Sequence, residues 1–186
     1  MNSVAWRDAL FGALIGITFL FIAVLASIVK KAQDAEQGIH AVGNLTVMIQ
    51  WPITNMSDID LWSMGPGEPK PVGYSDPQGV HFSLTHDDRP LQNIGEFAHV
   101  ETAVWRGIWP GQYVENVHVY DGELLPVVVQ MTVDCIPPSG KPRQLLKRTV
   151  TLTEDGSEIT VLRFAIDKDC NVLPDSVDHL QQNLRS

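Results

Sequence analysis

The 186 residues have room for one ordinary domain and a short accessory segment, and 44% hydrophobic with 19% charged side chains is the composition of a folded protein. Thirteen basic residues stand against 22 acidic ones, a net charge of −9, and no basic stripe interrupts the excess. That balance excludes nucleic acid and anionic lipid headgroups as docking partners for the body of the chain.

The first element is apolar. From Ala9 to Val29 there are 21 consecutive uncharged residues, which as a helix reach roughly 30 Å, the thickness of a hydrocarbon core. Trp6 stands at one mouth of the run and Lys30 and Lys31 at the other, as an interfacial aromatic and snorkelling lysines would. Val24-Leu25-Ala26 is a tolerable signal-peptidase tripeptide, but the run exceeds the roughly 7–15 residues of a signal-peptide core, so an uncleaved anchor is expected over residues 1–30. Read literally, Lys30 and Lys31 against Arg7 keep the following domain in the cytoplasm. An anchor preceded by only eight residues commonly leaves its N-terminus inside, and export of the domain is the expectation adopted.

Trp6-Arg7-Asp8-Ala9-Leu10-Phe11-Gly12-Ala13-Leu14, continuing through Thr18-Phe19-Leu20-Phe21, resembles the N-terminal helix of the B-subunits of ion-driven motors, the flagellar stator and its ExbD and TolR relatives. The resemblance implies that Asp8 carries protons or sodium within a ring of multispan subunits. It also implies a homodimer and a bacterial inner-membrane location with the following domain in the periplasm. A carboxylate at the edge of a hydrocarbon run suits that role, because protonation removes its charge and its desolvation cost together. Asp8 is equally placed to cap the helix start, with Arg7 beside it as an ion-pair partner. Arg7 departs from the family pattern. Gly12 and Gly16 form a small-xxx-small face for close helix approach.

Residues 31–43 are polar, and Lys30-Lys31-Ala32-Gln33-Asp34-Ala35-Glu36-Gln37-Gly38 reads as a helical stalk ending near Gly38. From Asn44 the hydrophobic period changes to two. Nine strands are predicted over 44–174: Leu45–Trp51, Ile59–Met64, Pro71–Ser75, Val80–Thr85, Glu101–Trp105, Gly111–Tyr120, Leu125–Ile136, Gln144–Thr153 and Ile159–Asp167. Turn signals such as Gly65-Pro66-Gly67, Pro110-Gly111 and Asp155-Gly156 separate them, and short strands at this spacing make an antiparallel β-sandwich or jelly roll. Glu154-Asp155-Gly156-Ser157 reads as the connection of a hairpin.

Trp51, Ser57-Asp58-Ile59-Asp60-Leu61-Trp62, Gly65-Pro66-Gly67, Gly73-Tyr74-Ser75, His86-Asp87-Asp88, Val100-Glu101 and Pro110-Gly111-Gln112-Tyr113 through Val117-His118-Val119-Tyr120 resemble the YfaP-like extracytoplasmic β-sandwich modules of bacteria. This implies a fold more than an activity. Alternation puts Asp58 and Asp60 on one strand face, and with Asp87 and Asp88 they offer oxygen ligands to a hard cation such as Ca²⁺; solvated acids at strand ends and turns are the plainer account. His99 and Glu101 share a face, with His81, His86 and His118 on neighbouring strands. No nucleophile–base pair, phosphate loop or zinc spacing accompanies them, so no enzyme and no other cofactor is expected. Trp51, Trp62, Trp105 and Trp109 read as core or rim packing, with a glycan platform as the alternative.

Cys135 and Cys170 are either two buried thiols or, in an oxidising compartment, a disulfide. The tail 175–186 reads as a short surface helix or a frayed end. Two functions follow: a B-type subunit of an ion-driven motor or force-transducing complex, or a membrane-tethered binding or assembly module for a protein or glycan.

Overall fold

The computed structural model describes residues 3–38, 44–87, 99–138 and 140–185. The chain divides into two compact units, Met1–His40 and Ala41–Ser186. The first is a single helix, α1, Ser3–Gly38. It ends where the stalk was expected to end, at a glycine, the residue that best tolerates the backbone of a helix terminus. Side chains on α1 are described at Trp6, Arg7 and from Leu10 to Leu25, and those apolar side chains are exposed. Among the described residues no helix is long and apolar enough to cross a membrane.

The described residues of the second unit form eight strands: β1 Asn44–Trp51, β2 Asp58–Met64, β3 Phe82–His86, β4 His99–Arg106, β5 Gly111–Asp121, β6 Val127–Ile136, β7 Arg143–Leu152 and β8 Glu158–Ile166. All paired strands are antiparallel and form two sheets, ordered β3-β4-β1-β6-β7 and β2-β5-β8. Alternation builds the core. Leu45, Val47, Ile49 and Trp51 of β1 point inward, as do Val127, Val129, Met131, Val133 and Cys135 of β6. From the smaller sheet they meet Ile59, Leu61, Val117, Val119 and Phe164. An aromatic chain ties the layers together: Phe82 lies against Trp105 at 4.7 Å between centroids, Trp105 meets Tyr113 edge-on at 5.0 Å, and Tyr113 stacks on Phe164 at 5.2 Å. Burial of each large apolar side chain contributes about 1.5–3 kcal/mol.

The Gly65-Pro66-Gly67 turn is shaped by this cluster. A Cβ on Gly65 would lie 2.4 Å from the Trp105 ring, and Gly67 has φ +82°, a conformation that favours glycine.

Three expectations are corrected. Pro71–Ser75 is not a strand: Val72 makes one isolated bridge to Ser63, Gly73 bridges Asp76, and the segment turns between them. The buried Glu68 carboxylate takes up the strand-like potential of the next stretch by accepting the amides of Val80, His81 and Phe82, so β3 begins only at Phe82. Nor do β7 and β8 form a hairpin. β7 pairs with β6 and β8 with β5, so the Glu154–Ser157 turn carries the chain from one sheet to the other. Period and turn signals locate strands without choosing partners, and the free edge of β5 takes β8.

The tail is neither helical nor frayed over its described residues. Asp178 bridges Arg163, the Gln182 carbonyl accepts from Asn116 Nδ2 at 2.8 Å, and Leu184 is buried between Trp62 and Val114. The tail thereby covers the outward face of the three-stranded sheet, which explains why β5 is buried on both faces.

Cys135, at the end of β6, and Cys170, just past β8, are joined in a disulfide with Cα atoms 6.5 Å apart. The loop that presents Cys170 is organised by Asp167, whose carboxylate accepts the amides of Asp169 and Asn171 and the Asn171 side chain. Those hydrogen bonds, led by Asn171, hold the Asp167 carboxyl below its ordinary range.

Candidate functional site

β2 lies at one edge of its sheet, and among the described residues no strand pairs with its outer side. Two of its amides are satisfied by other means. Ser63 exchanges backbone hydrogen bonds with Val72, and the Leu61 amide donates at 2.6 Å to Glu101 Oε2, on β4 of the opposite sheet. Glu101 stands in the inward parity of β4 with Ala103 and Trp105 and is fully buried. The edge contact therefore draws a carboxylate into the seam between the sheets.

Two more carboxylates converge there. Asp60 from β2 and Asp87, just past β3, each place an oxygen so that these and one Glu101 oxygen all lie within 4.8 Å of one another. Asp60 is 3% exposed, and Asp87 is half-buried. Asp58, Asp60 and Asp87 line a pocket of about 220 Å³ rimmed by Tyr74 and Tyr120. Burial raises the Glu101 carboxyl well above its ordinary range; the Leu61 amide opposes this, and the charges of Asp60 and Asp87 add to it.

On the outward face of β2 and β5, Asp60 Oδ2 lies 3.2 Å from His118 Nδ1, and Arg185 of the tail reaches His118 Nε2. A guanidinium only donates, so Nε2 must accept and Nδ1 must carry the proton given to Asp60. Burial, followed by the Arg185 charge, lowers the His118 pKa and keeps the ring neutral in this arrangement. His118 thus orients Asp60 from behind.

Three of the four acids expected to bind calcium, Asp58, Asp60 and Asp87, reach one pocket, while Asp88 lies outside the described residues. Glu101 was read with His99 on a shared face, which is correct, but its carboxylate joins the aspartates. His99 stacks on Trp51 and His81 on Trp109, away from any shared histidine site. The signal for Glu101 was present in its parity with Trp105. Nothing in the sequence placed β2 opposite it.

Trp51 and Trp105 are core, and Trp109 is at the rim with 37% exposure. Gly12 and Gly16 sit on α1, where an added Cβ would meet nothing within 4 Å among the described residues. The Asp8 side chain lies outside the described residues.

A second buried acid was not anticipated. Glu115 points into the core from β5 beside Tyr113 and Val117, directly opposite Ser63. Burial raises its pKa well above the ordinary 4.5, offset in smaller part by Ser63.

No protein-family model, curated protein or solved structure matches this chain. The two resemblances drawn from its sequence rest on their motifs alone.

Proposed function

We propose that this protein is a membrane-tethered binding or assembly module: α1 crosses a bilayer once, and the β-sandwich is presented on its oxidising side to a protein or glycan ligand. The observation that carries the reading is the absence of a polar face on the apolar run. Every described side chain from Leu10 to Leu25 is exposed, Phe19 at 71% and Leu20 at 68% among them. A helix of a soluble domain keeps one polar and one buried face, whereas one that is apolar all round needs lipid or a partner. The 21 uncharged residues of the sequence reach the length of a span. The Cys135–Cys170 disulfide suits an extracytoplasmic compartment. The reading includes no catalysis.

Expressed in a bacterium, the full chain should stay in the membrane pellet at alkaline pH, and its β-domain should be cleaved by protease added to spheroplasts. Release into the alkaline supernatant would refute the span. Full protection in intact spheroplasts, with cleavage only after lysis, would reverse the orientation.

A second reading makes α1 the ion-carrying helix of a motor complex with a multispan partner, working as a homodimer through Gly12 and Gly16. It is favoured by the place of Asp8 at the threshold of the apolar run. In a strain lacking the chain, Asp8→Asn should then fail to restore the wild-type phenotype at unchanged membrane levels, with partial rescue by Asp8→Glu. Full complementation by Asp8→Asn leaves α1 a passive tether.

A further inference from the structure

We infer that the outward face of β2, β5 and β8 is a recognition groove for an extended protein segment carrying leucine followed by arginine, and that residues 178–185 fill it as an intramolecular ligand. This rests on the reading of the β-domain as a binding module and gives its protein ligand a chemical class.

Residues 179–185 form neither helix nor strand, yet the sheet holds them almost residue by residue. The segment enters through Asp178, which exchanges two backbone hydrogen bonds of 2.9 Å with Arg163 of β8. The Gln181 side chain then takes the place of a neighbouring strand. Its Oε1 accepts the Thr160 amide at 3.2 Å and its Nε2 donates to the Glu158 carbonyl at 3.0 Å. Gln182 is gripped by its backbone, the amide donating to the Thr160 hydroxyl at 2.9 Å and the carbonyl accepting from Asn116 Nδ2 at 2.8 Å. The Glu158 carboxylate accepts the amides of Leu184, at 2.7 Å, and of Arg185.

Two side chains give the segment its identity. Leu184 is buried between Trp62 and Val114, and Arg185 reaches His118 Nε2 while lying over the Trp62 ring, 6.0 Å from its centroid. Backbone hydrogen bonds for adhesion and pockets for chosen side chains are the means by which extended peptides are recognised. Arginine suits its place, since Nε2 of a neutral His118 accepts and the indole face attracts a cation. The net charge of −9 favours a basic ligand as well.

The contact is not that of a core element. Of residues 178–185 only Leu184 is buried, while Leu180 is 66% exposed and Val177, just before them, 45%. Hydrophobic packing would turn those side chains inward. Beneath the segment lie polar groups instead, the fully buried Asn116 and the nearly buried Thr160 and His118. An element held by one apolar anchor and by hydrogen bonds that water can replace belongs to those that open locally. An incoming segment of the same chemistry can then take its place, in competition with a tethered one of high effective concentration.

The test is fluorescence anisotropy with a labelled peptide of residues 177–185 added to the full chain in detergent micelles. Leu184→Ser/Arg185→Ser withdraws both anchors from the tethered segment and should bind the peptide at least about tenfold more tightly than wild type. Replacing the leucine of the peptide by serine should weaken its binding to that variant by at least about tenfold. Thr160→Val, added to the double variant, keeps the shape of the groove but loses the hydroxyl that holds Gln182, and should weaken binding by about threefold or more. Equal affinity in wild type and the double variant overturns the inference, as does absence of binding to the double variant at millimolar peptide or undiminished binding of the serine peptide. Loss of cooperative urea unfolding in the double variant overturns it too, because the segment would then be part of the core. Alkaline extraction, which decides the span of α1, enters none of these readouts, so the tether and the groove fail separately.

Discussion

Replacing Cys135 and Cys170 together by alanine should lower the stability of the β-domain by about 3–4 kcal/mol, the chain-entropy value for a loop of this length. The bridge spans 35 residues and ties the end of β6, in the larger sheet, to the turn after β8, in the smaller. Everything between them, β7 and β8 included, is closed into one loop, and β7 reaches the smaller sheet through few other contacts, such as Arg148 donating to the Val161 carbonyl at 3.0 Å. Without the bridge, unfolding releases the whole interval and the edge strand β7 loses its covalent tie. Urea unfolding of the full chain in micelles measures the effect, and wild type under reductant should show the same loss. A difference below about 1 kcal/mol would mean that the loop stays compact in the unfolded chain.

The second large effect is expected from Glu115→Gln, which should stabilise the protein at neutral pH. Glu115 is fully buried among Tyr113, Val117 and Ser63, and burial raises its pKa well above the ordinary 4.5. Below pH 4.5 both folded and unfolded states hold the proton, and the group's contribution to stability is fully present. As pH rises, the unfolded chain ionises first while the folded one keeps its proton. Stability therefore falls, by up to about 1.4 kcal/mol per pH unit for one group, until the folded pKa is passed. Glutamine has no proton to lose. The variant should exceed wild type by about 1–3 kcal/mol at pH 7, and the two should converge towards pH 4. Glu101 has the same sign of shift, so the wild-type slope should be reduced rather than abolished. A stability difference independent of pH would sink the claim that Glu115 folds in its protonated form.

These two acids mark where inference from the sequence stopped. Period-two alternation located eight of the nine expected strands to within a few residues, since a strand's inward face is written locally in residues such as Leu45, Val47, Ile49 and Trp51. The ninth, Pro71–Ser75, failed because the segment turns back on itself, Gly73 bridging Asp76, and gives β2 only the single Val72–Ser63 bridge. The supposed hairpin at Glu154–Ser157 failed for a different reason. Its turn chemistry suits a hairpin, but the free edge of β5 lay within reach of β8, and strand pairing is settled between segments rather than within them. The tail was misread because its Val177, Leu180 and Leu184 fit a helical spacing, whereas a groove between Trp62 and Val114 existed only once β2 and β5 had paired.

The sequence by itself determined the apolar run of 21 residues, the switch of period at Asn44 and the acidic, strand-rich body, because each is a property of consecutive residues. It also placed Asp58 and Asp60 on one face, since alternation requires it. Only the tertiary structure decided that Glu101 meets Asp60 and Asp87 across the seam, that Glu115 is sealed in the core, and that Cys135 lies opposite Cys170. The physical reason is common to all three. Alternation fixes which face a side chain takes but leaves open which strand stands across from it, and that choice is made by non-local packing of two sheets around the Trp105–Tyr113–Phe164 cluster.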